Sequence, residues 1–170
     1  MNIGNQKGFL SLIPAIIIGL VAVGGGIVAT SQNAIPGNIL YGLKNATEKV
    51  RTTLSFTHSE KAKTHLSITL EKLEEIERLR AQRDSAQHIS DSAESLKKHQ
   101  DAAVEEFNQS GNKGQDVADL TNRLQMNSEQ QQNVLLDLLN KVPEAAKESI
   151  QHAIESSAKG LQKAQEVHNR

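Results

Sequence analysis

The chain contains no cysteine and no tryptophan, and only three phenylalanines and one tyrosine among its 170 residues. Without thiols it has no disulfide, no thiolate nucleophile and no sulfur ligand for a metal. That absence suits an exported protein but also many cytosolic ones, so it does not fix the compartment. With so few aromatics, any core must be built from Leu, Ile, Val and Ala, which favours thin, elongated helical packing. An excess of one charge is missing too: 19 basic residues face 20 acidic ones, for a net charge of −1. The basic residues are scattered, so there is no clustered basic face of the kind that holds nucleic acid. The chain is expected not to bind it.

What the chain does have is one long uncharged run. Residues 9–30, FLSLIPAIIIGLVAVGGGIVAT, contain no Asp, Glu, Lys or Arg. Their length is roughly the 20 residues a helix needs to cross the hydrocarbon core of a bilayer. Lys7 and the terminal amine are the positive charges ahead of the run, and no charged residue follows it until Lys44. By the positive-inside rule, residues 1–8 form a short cytoplasmic tail, residues 9–30 a signal anchor, and the remainder lies outside the cytoplasm. The run exceeds the apolar region of a signal peptide, about 7–15 residues, which favours a retained anchor. Two alternatives stay open. Cleavage near Val28, Ala29, Thr30 and Ser31 would release a secreted or periplasmic helical binding protein for a metal or small ligand. The glycines at 24–26 suit that reading by loosening the helix, though they equally suit close packing against another membrane helix. The Lys7-Gly8-Phe9 sequence resembles a type IV pilin leader, but the Glu expected five residues into the mature helix is replaced by Ile13, followed by Pro14.

Residues 31–38, SQNAIPGN, form a linker punctuated by Pro36-Gly37. Beyond it the pattern is helical throughout. A first helix from Ile39 to near Phe56 carries an apolar stripe of Leu40, Leu43, Thr47, Val50 and Leu54. Thr57-His58-Ser59-Glu60 has the form of a capping box. It opens a long helix with Ala62, Leu66, Leu70, Leu73, Ile76 and Leu79 inside and a break near Arg83-Asp84-Ser85. Ile89, Ala93, Leu96, Ala103 and Phe107 mark the next helix, closed by a loop at residues 110–114. A fourth spans about residues 115–141 around Val117, Leu120, Leu124, Val134, Leu135 and Leu138. Its middle, residues 125–133, is rich in Gln and Asn and is expected to project beyond the bundle or fray. Val142-Pro143-Glu144 starts the last helix, with Pro in the first turn where its missing N–H costs nothing. Ala146, Ile150, Ala153, Ile154, Leu161 and Ala164 form its inner face. There is no strand pattern, and the apolar steps do not keep a strict heptad. The expected fold is all-α: one transmembrane helix, then an elongated bundle of about five amphipathic helices. Residues 39–110 read as one helical domain and residues 115–168 as a C-terminal helical pair.

The segment Pro36-Gly37-Asn38-Ile39-Leu40-Tyr41-Gly42-Leu43-Lys44, continuing to Glu48, resembles a bacterial helical domain family of unknown function with a Pro-Gly-x-x-Leu-Tyr-x-x-Lys signature. The likeness extends through Lys61-Ala62, His65-Leu66 and Leu70-Glu71-Lys72-Leu73-Glu74-Glu75. The motif residues are Pro36, Gly37, Leu40, Tyr41, Lys44 and Glu48. The resemblance implies a domain just outside a single membrane helix, sometimes within proteins resembling membrane-bound anti-sigma factors. Eight residues precede the apolar run, too few for a sigma-binding domain, so that role is not carried over. Pro36-Gly37 would turn the chain at the membrane, and Tyr41 would suit the edge of a small core.

No chemical constellation stands out. Asp84/His88 and Glu148/His152 have the i,i+4 spacing that can chelate but more often gives a surface ion pair. His58 and His65, seven apart, share roughly one face. No Glu-x-x-His occurs, the motif that a dimetal bundle would want. Adjacent Glu74-Glu75 and Glu105-Glu106 diverge by about 100° on a helix and read as solvated. The serines sit at ordinary polar positions with no Gly-x-Ser-x-Gly elbow, and there is no phosphate loop. The expectation is a non-enzyme with no catalytic, cofactor-binding or metal-ligating residue and no cofactor. Its expected partners are the membrane and an envelope protein or a second copy.

Overall fold

A computed structural model describes residues 41–111 and 115–168 of the chain. Among them are five α-helices, one 3-10 turn and no strand. The helices are α1 (Tyr41–Thr53), α2 (His58–Ala81), α3 (Ala86–Gln109), α4 (Gln115–Leu139) and α5 (Lys147–His168), with the 3-10 turn Glu144–Ala146 leading into α5. None of the described helices is long and apolar enough to cross a membrane, and residues 9–30 lie outside the described set.

Local chemistry sets the helix ends. The Thr57 hydroxyl accepts from the Glu60 amide at 3.1 Å, and the Glu60 carboxylate accepts from the Thr57 amide at 3.0 Å. That reciprocal pair is the expected capping box, and it satisfies donors the first turn would otherwise leave unpaired. Ser85 caps α3 by accepting from the His88 amide. Between these helices Arg83 takes φ 56°, and the Asp84 amide reaches back to the Leu79 carbonyl at 2.9 Å. This is a Schellman closure with arginine where glycine is usual.

α2–α3 and α4–α5 are two antiparallel hairpins packed side by side. α2 runs alongside α4 and α3 alongside α5, while α2 and α5 sit on a diagonal. One apolar cluster joins the end of α2 (Leu73, Ile76, Leu79), the start of α3 (Ile89, Ala93, Leu96), the end of α4 (Leu135, Leu138) and the start of α5 (Ile150, Ala153). A second joins Ala62 and Leu66, Ala103 and Phe107, Leu120 and Leu124, and Ala164 at the opposite end. Each fully buried Leu or Ile contributes about 1.5–3 kcal/mol. Both clusters draw on the α2–α3 and α4–α5 hairpins alike.

Two expectations are corrected. The Gln/Asn-rich middle of α4 does not project or fray: Asn127, Ser128 and Gln131 are buried at the centre of the bundle. Part of the apolar stripe read for the first helix, Val50 and Leu54, does not face inward either. Val50 and Leu54 are about half exposed while Lys44 and Glu48 are buried. The physical reason is the same in both places. A polar side chain enters the interior when a partner on another helix meets it there.

Candidate functional site: two buried polar networks

The first network lies beneath α1. This helix packs antiparallel on α2, so residues ascending α1 meet residues descending α2. Lys44 Nζ donates to Glu75 Oε2. Lys72 Nζ sits 3.0 Å from Glu48 Oε1 and 3.5 Å from Glu75 Oε2. Arg51 donates to Glu71 at 2.7 Å and to Ser67 at 3.1 Å, and Ser55 meets Thr64 at 2.9 Å. From α3, the Ser92 hydroxyl donates to Glu75 Oε1 at 2.6 Å. Lys44, Glu48, Lys72 and Glu75 are all buried, Lys72 and Glu75 completely. Two cations and two carboxylates make the interior cluster neutral, which is what lets charges leave water at all.

A histidine pair closes this network on the α3 side. His65 Nδ1 and His99 Nδ1 are 2.8 Å apart, with the rings tilted at 39°. His99 Nε2 lies 3.8 Å from Glu48 Oε2. That carboxylate favours the proton on His99 Nε2, leaving His99 Nδ1 to accept from His65 Nδ1–H. Burial lowers the pKa of His99 to about 4, helped by competition with His65 for a proton and by the positive charge of nearby Lys72, Lys98 and Arg51. Burial also lowers that of His65, against the opposing pull of Glu106. Both rings are thus neutral at neutral pH. A shallow cleft lined by Thr52, Thr53, Lys61, His65 and Glu106 opens beside them.

The second network is a neutral layer between the two apolar clusters. Asn127 donates to the Leu66 carbonyl at 2.8 Å and accepts from the Thr69 hydroxyl at 3.0 Å. The two N–H groups of Gln131 Nε2 are shared among Asn127 Oδ1, Thr69 Oγ1 at 3.1 Å and Gln100 Oε1 at 3.0 Å. Gln100 donates in turn to the Ser128 hydroxyl at 3.0 Å, and Ser157 donates to Gln131 Oε1 at 2.6 Å. Gly160 on α5 faces this layer. A Cβ placed there would lie 2.2 Å from Gln100 Nε2 and 2.5 Å from Ser128 Oγ. The glycine is what lets α5 approach the amides.

Of the motif residues, Pro36, Gly37 and Leu40 lie outside the described set, and Tyr41 is the first residue of α1. Lys44 and Glu48 meet in the charged network. Lys72 and Glu75, which the resemblance covers without assigning a role, complete it. Glu75 corrects the expectation of a solvated Glu74-Glu75 pair: Glu74 is exposed and Glu75 is not. Glu106 is half-buried and bonds His58 at 2.6 Å, while Glu105 stays exposed. His65 pairs with His99 rather than with His58. The Asp84/His88 pair forms at 2.9 Å and is local, and His152 is exposed. Ser92, Ser128 and Ser157 are buried, not at ordinary polar positions. One signal for the neutral layer is visible in the sequence. Thr69, Gln100, Gln131 and Ser157 each fall on the register of an apolar stripe and interrupt it.

Chemically, most polar groups of the two networks bond to one another; buried Glu48 Oε1 makes no hydrogen bond and is met by Lys72 as an ion pair. Among the described residues no three or more His, Asp or Glu side chains are grouped so as to hold a metal. The architecture is that of an all-α protein whose first described helix is fastened to a four-helix bundle by buried ions. Over residues 33–145 the chain matches the family described as Domain of unknown function (DUF5667), and it belongs to that family. The match begins ahead of α1 and ends in the 3-10 turn, so α5, with Ser157 and Gly160, lies beyond it. No curated protein and no solved structure matches the chain.

Proposed function

We propose that the protein is a membrane-anchored, extracytoplasmic helical module acting without catalysis, as an interaction, structural or sensory-accessory component of the bacterial envelope. The observation that carries this reading is the uncharged run at residues 9–30, with positive charge ahead of it and none behind it until Lys44. The bundle supports the non-enzymatic part. Its buried serines and carboxylates bond within the two networks, and the hydroxyls at the shallow cleft beside His65, those of Thr52 and Thr53, donate to carbonyls of α1 rather than to the imidazole. Partners would be the bilayer and an envelope protein or second copy, and not nucleic acid, given the scattered basic residues.

The test is intact mass of the protein from carbonate-washed membranes, with protease added outside intact spheroplasts. Full-length mass and digestion from outside are expected. A soluble species beginning near residue 31 would replace the anchor with a released binding protein. Loss of only the first eight residues, leaving Phe9 at the terminus, would point to pilin-like processing.

A further inference from the structure

α1 is amphipathic in the wrong sense for a helix whose only neighbour is the bundle. Its inward side carries Lys44 and Glu48, 2% and 5% exposed, while Val50, Leu54 and Phe56 are 55%, 54% and 88% exposed. Five large hydrophobic residues are exposed among the described ones, and these three fall within seven positions of one another. Single exposed apolar residues need no explanation, but three large ones gathered at the end of one helix and its turn do. Lys49 and Thr53 flank it and are exposed as well.

What lies just upstream bears on the occupant. The uncharged run ends at Thr30, and ten residues separate it from Tyr41. Ten residues reach at most about 33–36 Å. A helix tethered that closely to a bilayer, with an apolar outer face and a lysine beside it, has the composition of an interfacial helix lying in the headgroup region. We propose that the outer face of α1 and its turn, through Val50, Leu54 and Phe56, seats on the membrane surface, laying the bundle on its side. The charged network beneath α1 serves that arrangement. It fixes α1 to the bundle without using apolar surface, leaving the apolar residues for lipid. This inference rests on the anchored reading of residues 9–30.

The absence of tryptophan makes a direct test available. Full-length Phe56→Trp and Ala158→Trp proteins would each carry a single fluorophore; Ala158 is exposed on α5, which does not pack on α1. Each is reconstituted into phosphatidylcholine vesicles, either plain or brominated on the acyl chains. Both proteins should sediment with the vesicles. Emission from F56W should be blue-shifted and fall several-fold in brominated vesicles, with A158W unchanged. F56W that sediments yet is quenched by aqueous iodide as strongly as A158W would overturn the proposal while leaving the anchor intact. F56W shielded from both iodide and bromine would also overturn it, in favour of a second copy on this face. Protein left in the supernatant would show that the anchored reading has failed, and the proposal with it.

Discussion

The two buried networks sit at similar depth and are built from opposite materials. Beneath α1 the partners are ions, two lysines against two glutamates, with neutral imidazoles at the margin. At the bundle centre they are amides and hydroxyls only: Thr69, Gln100, Asn127, Ser128, Gln131 and Ser157. An ion in the interior is tolerable only while its counter-ion is present, so the first network answers to charge balance. An amide or hydroxyl loses much less on burial and is content with any well-placed partner, so the second answers to geometry. A change in charge should injure the first, and a change in volume the second.

The largest effect should come from unbalancing the ions. Glu75→Ala removes the carboxylate that accepts from Lys44 and Ser92 and lies beside Lys72. It leaves two buried cations facing one anion. Removing one member of a buried pair costs about 3–5 kcal/mol, to be read in the free energy of unfolding by denaturant. A loss below about 1 kcal/mol would mean that water already reaches the site and that α1 is held by something else.

Acid should separate the networks next. The pKa of His99 falls from 6.5 to about 4 in the folded chain, so between these values the unfolded chain binds more protons. Stability therefore rises with pH across that window. It is complete above about pH 6.5 and declines as pH falls toward 4. The groups that face His99 are His65 and Lys72 from α2, Glu48 and Arg51 from α1, and Lys98 from α3. The loss is at most about 3.5 kcal/mol, from 1.36 kcal/mol per pKa unit. Asp84, Asp101, Asp119 and Glu60 are held below their ordinary values and contribute stability that is lost at lower pH, from about 4.5 downward. Unfolding measured at pH 7.5 and pH 5 should thus differ for the native chain and differ less for His99→Gln, in which buried His65 keeps its own lowered value. The neutral layer has no titrating member, and equal slopes in both proteins would sink this assignment.

Volume is the weak point of the neutral layer. Gly160→Ala sets a methyl group against Gln100 Nε2 and Ser128 Oγ, both of them hydrogen-bonded and enclosed. Overpacking of this kind costs about 1–3 kcal/mol. A gain in stability, as an alanine ordinarily brings to a helix interior, would show that the amides can shift without loss.

How much of this was legible depends on where each residue's partner sits. The capping box at Thr57 and Glu60 and the break at residues 83–85 are local patterns, and the structure holds them where the sequence puts them, whereas Pro143, read into the first turn of the last helix, precedes the 3-10 turn that leads into α5. The apolar stripes of α2, α3 and α5 are equally plain, because Leu66, Phe107 or Ile150 is buried for its own sake. Gln131 is different. It is buried because Gln100 and Thr69, 31 and 62 positions away, meet it there. Its place on the register of the α4 stripe is the one local sign, and a run rich in Gln and Asn otherwise resembles a solvated one. The inverted face of α1 escaped for the same reason. Apolar periodicity marks Val50 and Leu54 as inward, while Lys44 and Glu48 are drawn in by Glu75 and Lys72.

The finest comparison is between two serines. Ser92 donates to Glu75 Oε1 and Ser157 to Gln131 Oε1, both at 2.6 Å and both from fully buried positions. Replacing either with alanine removes the same atom, so the acceptor's charge is the main difference. Ser157 also bonds to the Ala153 carbonyl at 2.9 Å, a local contact whose loss leaves that carbonyl to its helical partner. A hydrogen bond to a charged group contributes about 1.5–3 kcal/mol and one between neutral groups about 1 kcal/mol. Ser92→Ala should therefore cost more than Ser157→Ala, by about 1 kcal/mol in denaturant unfolding at neutral pH. Equal losses would mean that Lys44 and Lys72 already neutralise Glu75 so fully that its oxygen behaves as an amide's does. The two networks would then differ in composition but not in energetics.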